Sequence, residues 1–403
     1  MTLSAKRYPP SARPPKRRLR LVSAVSGMRI VMEGRDVVNF GSNNYLGLAD
    51  HPAVRDAAVR AIENWGWGSG ASRLVSGDTA LHEALERAIA NFKHTEAALV
   101  YPTGYMANVG VVTALAGRED TIILDKLCHA SLIDAARGSG ATVRVYPHRD
   151  MKKLSRLLAD RSGTGRTLVL TDGVFSMDGD LAPLPEILKL VDRFMVGAQH
   201  AAPLHVVVDD AHATGVIGKN GRGTPEHFGV EGHPALVMVG TLSKALGGLG
   251  GFVAGSREFV DRLVNSSRSF IYTTAPPPAQ CAAAIAALEI VGKSGDLRAR
   301  LWENIRRMKE GLSRLGLDVS TVESPIFPLV AGEEDAALAA SKFLFENGYY
   351  VPGIRPPTVP AGTSRLRVSL SAGHTEADIA GVIKAIGDVI GQGLLRRSSD
   401  SSS

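Results

Sequence analysis

Cysteine is almost absent: Cys128 and Cys281 are the only two in 403 residues. Two thiols cannot build a disulfide framework or a cysteine-rich zinc site, so a reducing, cytoplasmic setting is expected. No apolar run approaches the roughly 18 residues of a membrane-crossing helix, and a membrane span is excluded. Acidic residues are missing from the first 20 positions, which hold Lys6, Arg7, Arg13, Lys16, Arg17, Arg18 and Arg20. Without these seven of the 46 basic residues the remainder is balanced by 40 acidic ones, so the net charge of +6 belongs to this arm. A nucleic-acid enzyme carries its positive charge on the folded body, and no nucleic-acid partner is expected. The arm has no apolar stretch behind it, so it is not a secretory signal, and Pro9, Pro10, Pro14 and Pro15 break any amphipathic targeting helix. It reads as a flexible basic arm, with a transit-like or anion-binding role as the alternative. Neither the glycine spacing of a Walker loop nor that of a dinucleotide fingerprint occurs.

What is present is a globular chain, 44% hydrophobic. Helical apolar spacing covers 52–65 and 79–93, the second with Asp78 as its expected cap. Short apolar runs at 97–101, 121–124, 142–146, 167–171, 205–208, 236–240 and 251–254 read as buried strands, most of them separated by helix-length segments. Such alternation predicts a mainly parallel sheet covered on both faces. After about residue 290 a long polar helix is expected at 297–315, strands at 317–322 and 326–330, a helix at 335–346, a strand at 365–370 and a last helix at 376–391. The domain expectation is therefore an N-terminal arm and segment (1–50), a large α/β domain (51–290), a small C-terminal α+β domain (291–395) and a disordered tail (396–403). Two such domains commonly place a ligand in the crevice between them, and ligands of open α/β sheets sit at the carboxyl ends of strands.

The polar residues just after strands therefore carry the chemistry. In Val206-Val207-Val208-Asp209-Asp210-Ala211-His212 the two acids point to opposite faces, and His212 converges with Asp209 if the chain turns. No third ligand lies nearby for a metal. Lys244 sits in an apolar glycine loop after Thr241 and Ser243, where poor solvation makes its amine a usable nucleophile. Thr103-Gly104-Tyr105 opens a helix after a strand, which offers N–H groups to an anion. His129 follows Asp125 and Cys128 after another strand and reads either as a flat ring near a cofactor or as a packed core residue. The Asp172–Asp180 burst, with Ser176, suggests a divalent cation by its acids, but its apolar alternation fits a tight, partly buried loop better. Arg355, Arg365 and Arg367 flank a proline-rich loop, and an arginine there suits fork-like capture of a carboxylate.

A strand-end Asp, a glycine-loop Lys, a helix-start phosphate cradle and a carboxylate-binding Arg together fit pyridoxal phosphate (PLP). The motifs SNNYLGL, SRLVSGDTALHEALE, GYMAN, HASL, DGVFSMDGD, VDDAHATGVIG and TLSKALGG, spread over residues 39–392, resemble the α-oxoamine synthases. These are PLP enzymes of the α/β, aspartate-aminotransferase-like fold, with a seven-stranded mainly parallel sheet and a smaller C-terminal α+β domain. The resemblance implies that Lys244 holds the cofactor aldehyde, Asp209 pairs with the ring nitrogen, and His212 and Ser176 bond its phenolic oxygen. It further implies that His129 stacks on the ring and that Gly104, Tyr105 and Thr241 bind the phosphate, with Thr274 from a partner subunit. Arg367 with Asn43 would bind the amino-acid carboxylate, Arg355 and Thr358 would lie at the acyl side, and Arg17 is the best match to an N-terminal substrate arginine. The segment IRPPTVPAGTSRLRVSLSAGHT, supported by SFIYTTAPPPA, most resembles the biotin-pathway branch. That branch joins L-alanine to pimeloyl-CoA or a pimeloyl carrier protein, with loss of CO2, in a homodimer. Sister branches (2-amino-3-ketobutyrate ligase, 5-aminolevulinate synthase, serine palmitoyltransferase), an aminotransferase and a non-catalytic partner subunit are the alternatives. Two departures stand out: Cys128 where the family usually has Asn, and Asp172 where some members have Glu.

Overall fold

The computed structural model describes residues 17–160, 165–196, 203–293 and 295–397. The expectations for the basic arm up to residue 16 and for the tail from residue 398 lie outside these residues. The chain forms two compact units, one of His51–Phe175 with Leu181–Gly295, the other of the described residues in Ser4–Asp50, Ser176–Asp180 and Asp296–Ser403.

The second unit begins with an antiparallel meander, β1 (Val22–Ser26), β2 (Arg29–Met32) and β3 (Arg35–Asn39). Glu33 (φ 50°) and Gly34 (φ 78°) close the β2–β3 hairpin. Two successive positive φ values match the turn to the right-handed strand twist.

The first unit places helix α1 (Pro52–Trp65) and helix α2 (Ala80–Lys93) ahead of a seven-stranded sheet. Its strands are β4 (Ala97–Tyr101), β5 (Thr121–Asp125), β6 (Thr142–Tyr146), β7 (Thr167–Asp172), β8 (Leu204–Asp209), β9 (Leu236–Thr241) and β10 (Gly251–Gly255). The order is β4-β10-β9-β8-β7-β5-β6, with β10 alone antiparallel to its neighbours. The mainly parallel sheet expected from the apolar runs is thus present. Helix α3 (Gly104–Leu115) follows β4, and helix α4 (Ala130–Gly138) follows β5. Period-two alternation splits the core. Leu168, Leu170 and Val207 pack with Val111 of α3 and Leu132 of α4, whereas Val169, Val206 and Val208 pack with Leu154 and Ile187 on the other face.

One expected cap is corrected. Thr79, not Asp78, is the N-cap of α2, because the Asp78 carboxylate is taken by Arg73 at 2.6 Å.

Back in the second unit, β11 (Ile326–Gly332), β13 (Gly353–Ile354) and β14 (Ser364–Ser369) form an antiparallel sheet, and β12 (Tyr349–Tyr350) adds to β3 in parallel. Helices span Gly295–Arg314, Glu334–Glu346 and Glu376–Gly391. The strand expected at 317–322 does not form. Asp318 Oδ1 accepts from both the backbone N–H and the hydroxyl of Ser320, and that local turn competes with an extended chain.

Candidate active site

Strand parity aims the two adjacent acids at the end of β8. Asp209 continues the side of Val207, facing α3. Its Oδ2 accepts from the Asn108 amide at 2.6 Å and its Oδ1 from the Ala211 N–H at 3.0 Å. Asp210 faces the other way, fully buried, bonded by Lys93 Nζ at 3.1 Å and the Thr224 hydroxyl at 2.7 Å. Asp209 is left as a nearly buried carboxylate at the carboxyl edge of the sheet, and Asp210 is a structural anchor.

Asp172 ends β7 directly beside Asp209 in register. It is buried, and its carboxylate accepts the backbone N–H of His129 at 3.0 Å. Burial, and then the charge of Asp209, pushes the Asp172 carboxyl well above the usual carboxylate range. Desolvation holds His129 below the ordinary imidazole value; Asp209 opposes this, while the Lys244 charge adds to it. His129 is exposed as a residue, yet its neighbours desolvate the ring. Cys128, the departure just before it, is buried and gives its thiol hydrogen to the Leu170 carbonyl at 3.4 Å.

At the start of α3, Thr103 is the cap: its hydroxyl accepts the Met106 N–H at 3.1 Å. The N–H groups of Gly104 and Tyr105 precede it, at the positive end of a twelve-residue helix. A side chain at Gly104 would put its Cβ 3.4 Å from the Thr241 hydroxyl, so the glycine keeps the space beside that hydroxyl open. The Tyr105 hydroxyl itself is donated to Asp134 at 2.6 Å. Thr241 and Ser243 share a hydrogen bond of 2.7 Å, and half-buried Lys244 follows in a turn closed by Gly247 N–H to the Lys244 carbonyl. His212 is nearly buried in the turn after Asp210, and Thr274 is exposed. An anion cradle, a half-buried amine and a strand-end carboxylate fit the phosphate, aldehyde and ring nitrogen of PLP.

The second unit holds a separate constellation. Arg367 on β14 is buried, and its guanidinium donates to the Ser176 carbonyl at 2.6 Å, the Ser369 hydroxyl at 3.0 Å and Asn43 Oδ1 at 3.2 and 3.3 Å. All of these acceptors are neutral. Among the described residues no carboxylate pairs with Arg367, whereas Arg365 on the same strand is answered by Asp178 at 2.7 Å. A buried guanidinium without a counter-ion is costly and suits an incoming anion. Arg355 reaches Glu334 at 3.8 Å, Thr358 is exposed and donates its N–H to the Arg355 carbonyl, and Arg17 is exposed. A cavity of about 430 Å³ beside Leu317, Val330 and Arg397 includes none of these residues. Among the described residues no His/Cys/Asp/Glu cluster is placed to hold a metal, and no helix is long and apolar enough to cross a membrane.

Sequence reasoning gave no role to Asn108, Ser131 or Lys93. Asn108 lies one helical turn beyond Gly104, the spacing that returns a side chain to the same face, and this was the available signal.

Residues 35–386 match the family described as aminotransferase class I and II. A protein of Geobacter sulfurreducens named 8-amino-7-oxononanoate synthase is 51% identical over 374 residues, covering 92% of this chain and 93% of its own. A high-resolution structure of SPT with a PLP internal aldimine superposes with a TM-score of 0.88 at 33% identity, covering 93% of each chain. A crystal structure of 8-amino-7-oxononanoate synthase from Francisella tularensis gives a TM-score of 0.76 at 30% identity, over 89% of this chain and 98% of that one. With its strand-end acid, loop lysine and helix-start cradle, the chain belongs to the aminotransferase class I and II family, in its α-oxoamine synthase branch.

Proposed function

We propose that this protein is a PLP-dependent acyltransferase that condenses L-alanine with a pimeloyl thioester, releasing CO2 and a thiol, the reaction of an 8-amino-7-oxononanoate synthase. The observation that carries the amino-acid half is the buried Arg367 without a carboxylate partner. The identity of 51% to a relative of that name supports the choice of branch. When bound, PLP supplies an electron sink for the negative charge developed at the amino acid's Cα.

The chain's own groups do the rest. Lys244 would hold the cofactor's aldehyde, and its amine would take and return the Cα proton of the amino acid. Asp209 keeps a proton on the ring nitrogen. His129 would stack on the ring, and His212 and Ser176 would hydrogen-bond its phenolic oxygen. The N–H groups of Gly104 and Tyr105 and the Thr241 hydroxyl hold the phosphate. Thr274, exposed on its own protomer, serves the partner's phosphate in a homodimer. Arg367, oriented by Asn43, grips the alanine carboxylate, while Arg355, Thr358 and Arg17 meet the acyl donor. A reducing cytoplasm suits a chain with two buried thiols.

The higher overlap with SPT favours one second reading, a sister synthase taking serine and another acyl thioester. Thiol release by the PLP-loaded protein, with pimeloyl-CoA offered against L-alanine, glycine and L-serine, separates them. Release with alanine is expected. Release with serine or glycine instead moves the protein to a sister branch.

A further inference from the structure

Between the carboxylate of Asp209 and the ring of His129 stand two buried side chains that no catalytic role above uses. Asn108 is 2% exposed and Ser131 is fully buried. The Asn108 amide nitrogen gives one hydrogen to Asp209 Oδ2 at 2.6 Å and the other to the Ser131 hydroxyl at 2.8 Å. The Ser131 hydroxyl lies 2.7 Å from His129 Nδ1, and the Ser131 backbone N–H also points at that nitrogen, at 3.3 Å. A backbone N–H has only a hydrogen to offer, so Nδ1 must be an acceptor. Having accepted from Asn108, the Ser131 hydroxyl then directs its own hydrogen to Nδ1 as well. The one ring proton of neutral His129 is thereby placed on Nε2.

The amide orientation is equally determined. Turning Asn108 over would bring its oxygen against the Asp209 carboxylate. As it stands, Asn108 Oδ1 is buried with no hydrogen-bond partner among the described residues. An orphaned buried acceptor is rare, and here it accompanies the only orientation that supplies a hydrogen to both acceptors, Asp209 Oδ2 and the Ser131 hydroxyl.

We propose that Asn108 and Ser131 are positioning residues that insulate His129 from Asp209: they bind the carboxylate with a neutral double donor and hold the imidazole uncharged, with its proton on Nε2. A histidine bonded directly to Asp209 would gain charge from it and compete for the proton wanted at the cofactor's nitrogen. The relay gives the carboxylate a neutral donor and holds the ring's proton on Nε2. The charged or titratable groups facing His129 are Asp209, Lys244, Asp134 and, through the backbone N–H, Asp172. The inference rests on the proposed PLP site.

The test is nitrogen NMR of PLP-loaded protein carrying 15N-labelled histidine, with His129 assigned by its loss in His129→Gln. In the wild type, Nε2 is expected to carry the proton and Nδ1 to be bare throughout the range in which exposed histidines titrate. A proton on Nδ1, or titration of His129 at the ordinary value, overturns the proposal without needing any variant. Ser131→Ala removes one of two donors on Nδ1, so the His129 titration should move up by about half a pH unit or more, with a mixture of tautomers. Ser131→Cys, close in size, should fall between. A folded, PLP-binding Ser131→Ala with unchanged tautomer and titration also overturns it. Failure of the cofactor reading shows separately, as a wild-type protein that stays colourless with PLP.

Discussion

Replace Lys93 by methionine, and a fully buried carboxylate loses its cation. Lys93 and Asp210 are 1% and 0% exposed, and the ammonium also donates to the Thr214 hydroxyl at 2.9 Å and to the Arg222 carbonyl. Breaking a buried pair by removing one partner costs about 3–5 kcal/mol, because a charge is left uncompensated. Asp210 Oδ1 would keep the N–H and hydroxyl of Thr224, at 3.1 and 2.7 Å, so the lower end, about 3 kcal/mol, is expected. The turn that carries His212 hangs on the same residue, since the Asp210 carbonyl accepts the N–H groups of Ala213 and Thr214. Lys93→Met should therefore lower the denaturant midpoint and reduce kcat more than it raises the alanine KM. Adding Asp210→Asn neutralises the orphan and should recover part of the loss. The assay is urea unfolding of the PLP-loaded protein by circular dichroism, for single and double variants. A loss under about 1 kcal/mol in the single variant, or a double variant less stable than the single, would refute the reasoning.

Other outcomes follow from the second unit. Arg367→Lys trades a planar fork for a point charge, and loss of charge-assisted bonds worth about 1.5–3 kcal/mol should raise the alanine KM about ten- to a hundredfold. An equal rise in the thioester KM would count against carboxylate binding. His374 is buried against Phe40 with ring centroids 4.1 Å apart, accepts the Ser371 N–H, lies 3.1 Å from the Asn39 carbonyl through Nε2, and is held down to about 4 mainly by desolvation. Its folded value lies below the unfolded one, so its stabilising contribution is complete above the unfolded value of about 6.5 and is lost as pH falls towards 4, up to about 3 kcal/mol. His374→Gln should flatten the acid side of the stability profile; an unchanged slope between pH 6.5 and 4 would contradict this.

Much of the sheet was legible because buried parallel strands are written as apolar runs. The runs at 97–101 and 142–146 coincide with β4 and β6, while β5, β7, β8 and β9 each extend one residue further, to Asp125, Asp172, Asp209 and Thr241. Those polar ends belong to the strands because they sit at the sheet's carboxyl edge, where hydrogen bonds compensate burial. The meander of β1 to β3 escaped notice because β1 is short and exposed throughout, so its Val22, Ala24 and Val25 mark no buried face. Residues 317–322 misled by alternating Leu317, Val319 and Val322 with polar residues, a pattern overridden by the local bonds of Asp318. At the site, the residues reached from the motifs project from strand ends and loops. Asn108 and Ser131 lie within helices; spacing from Gly104 could flag the face Asn108 occupies, but what each side chain bonds depends on a partner 101 and 2 residues away.

The most direct test of the central claim uses L-alanine labelled with 13C in its carboxyl group, with pimeloyl-CoA and the PLP-loaded protein. The account predicts labelled CO2 and free thiol in equal amounts, with a product one carbon lighter than the sum of alanine and the pimeloyl group. Labelled pyruvate without CO2, or release of thiol with the label retained, would contradict it.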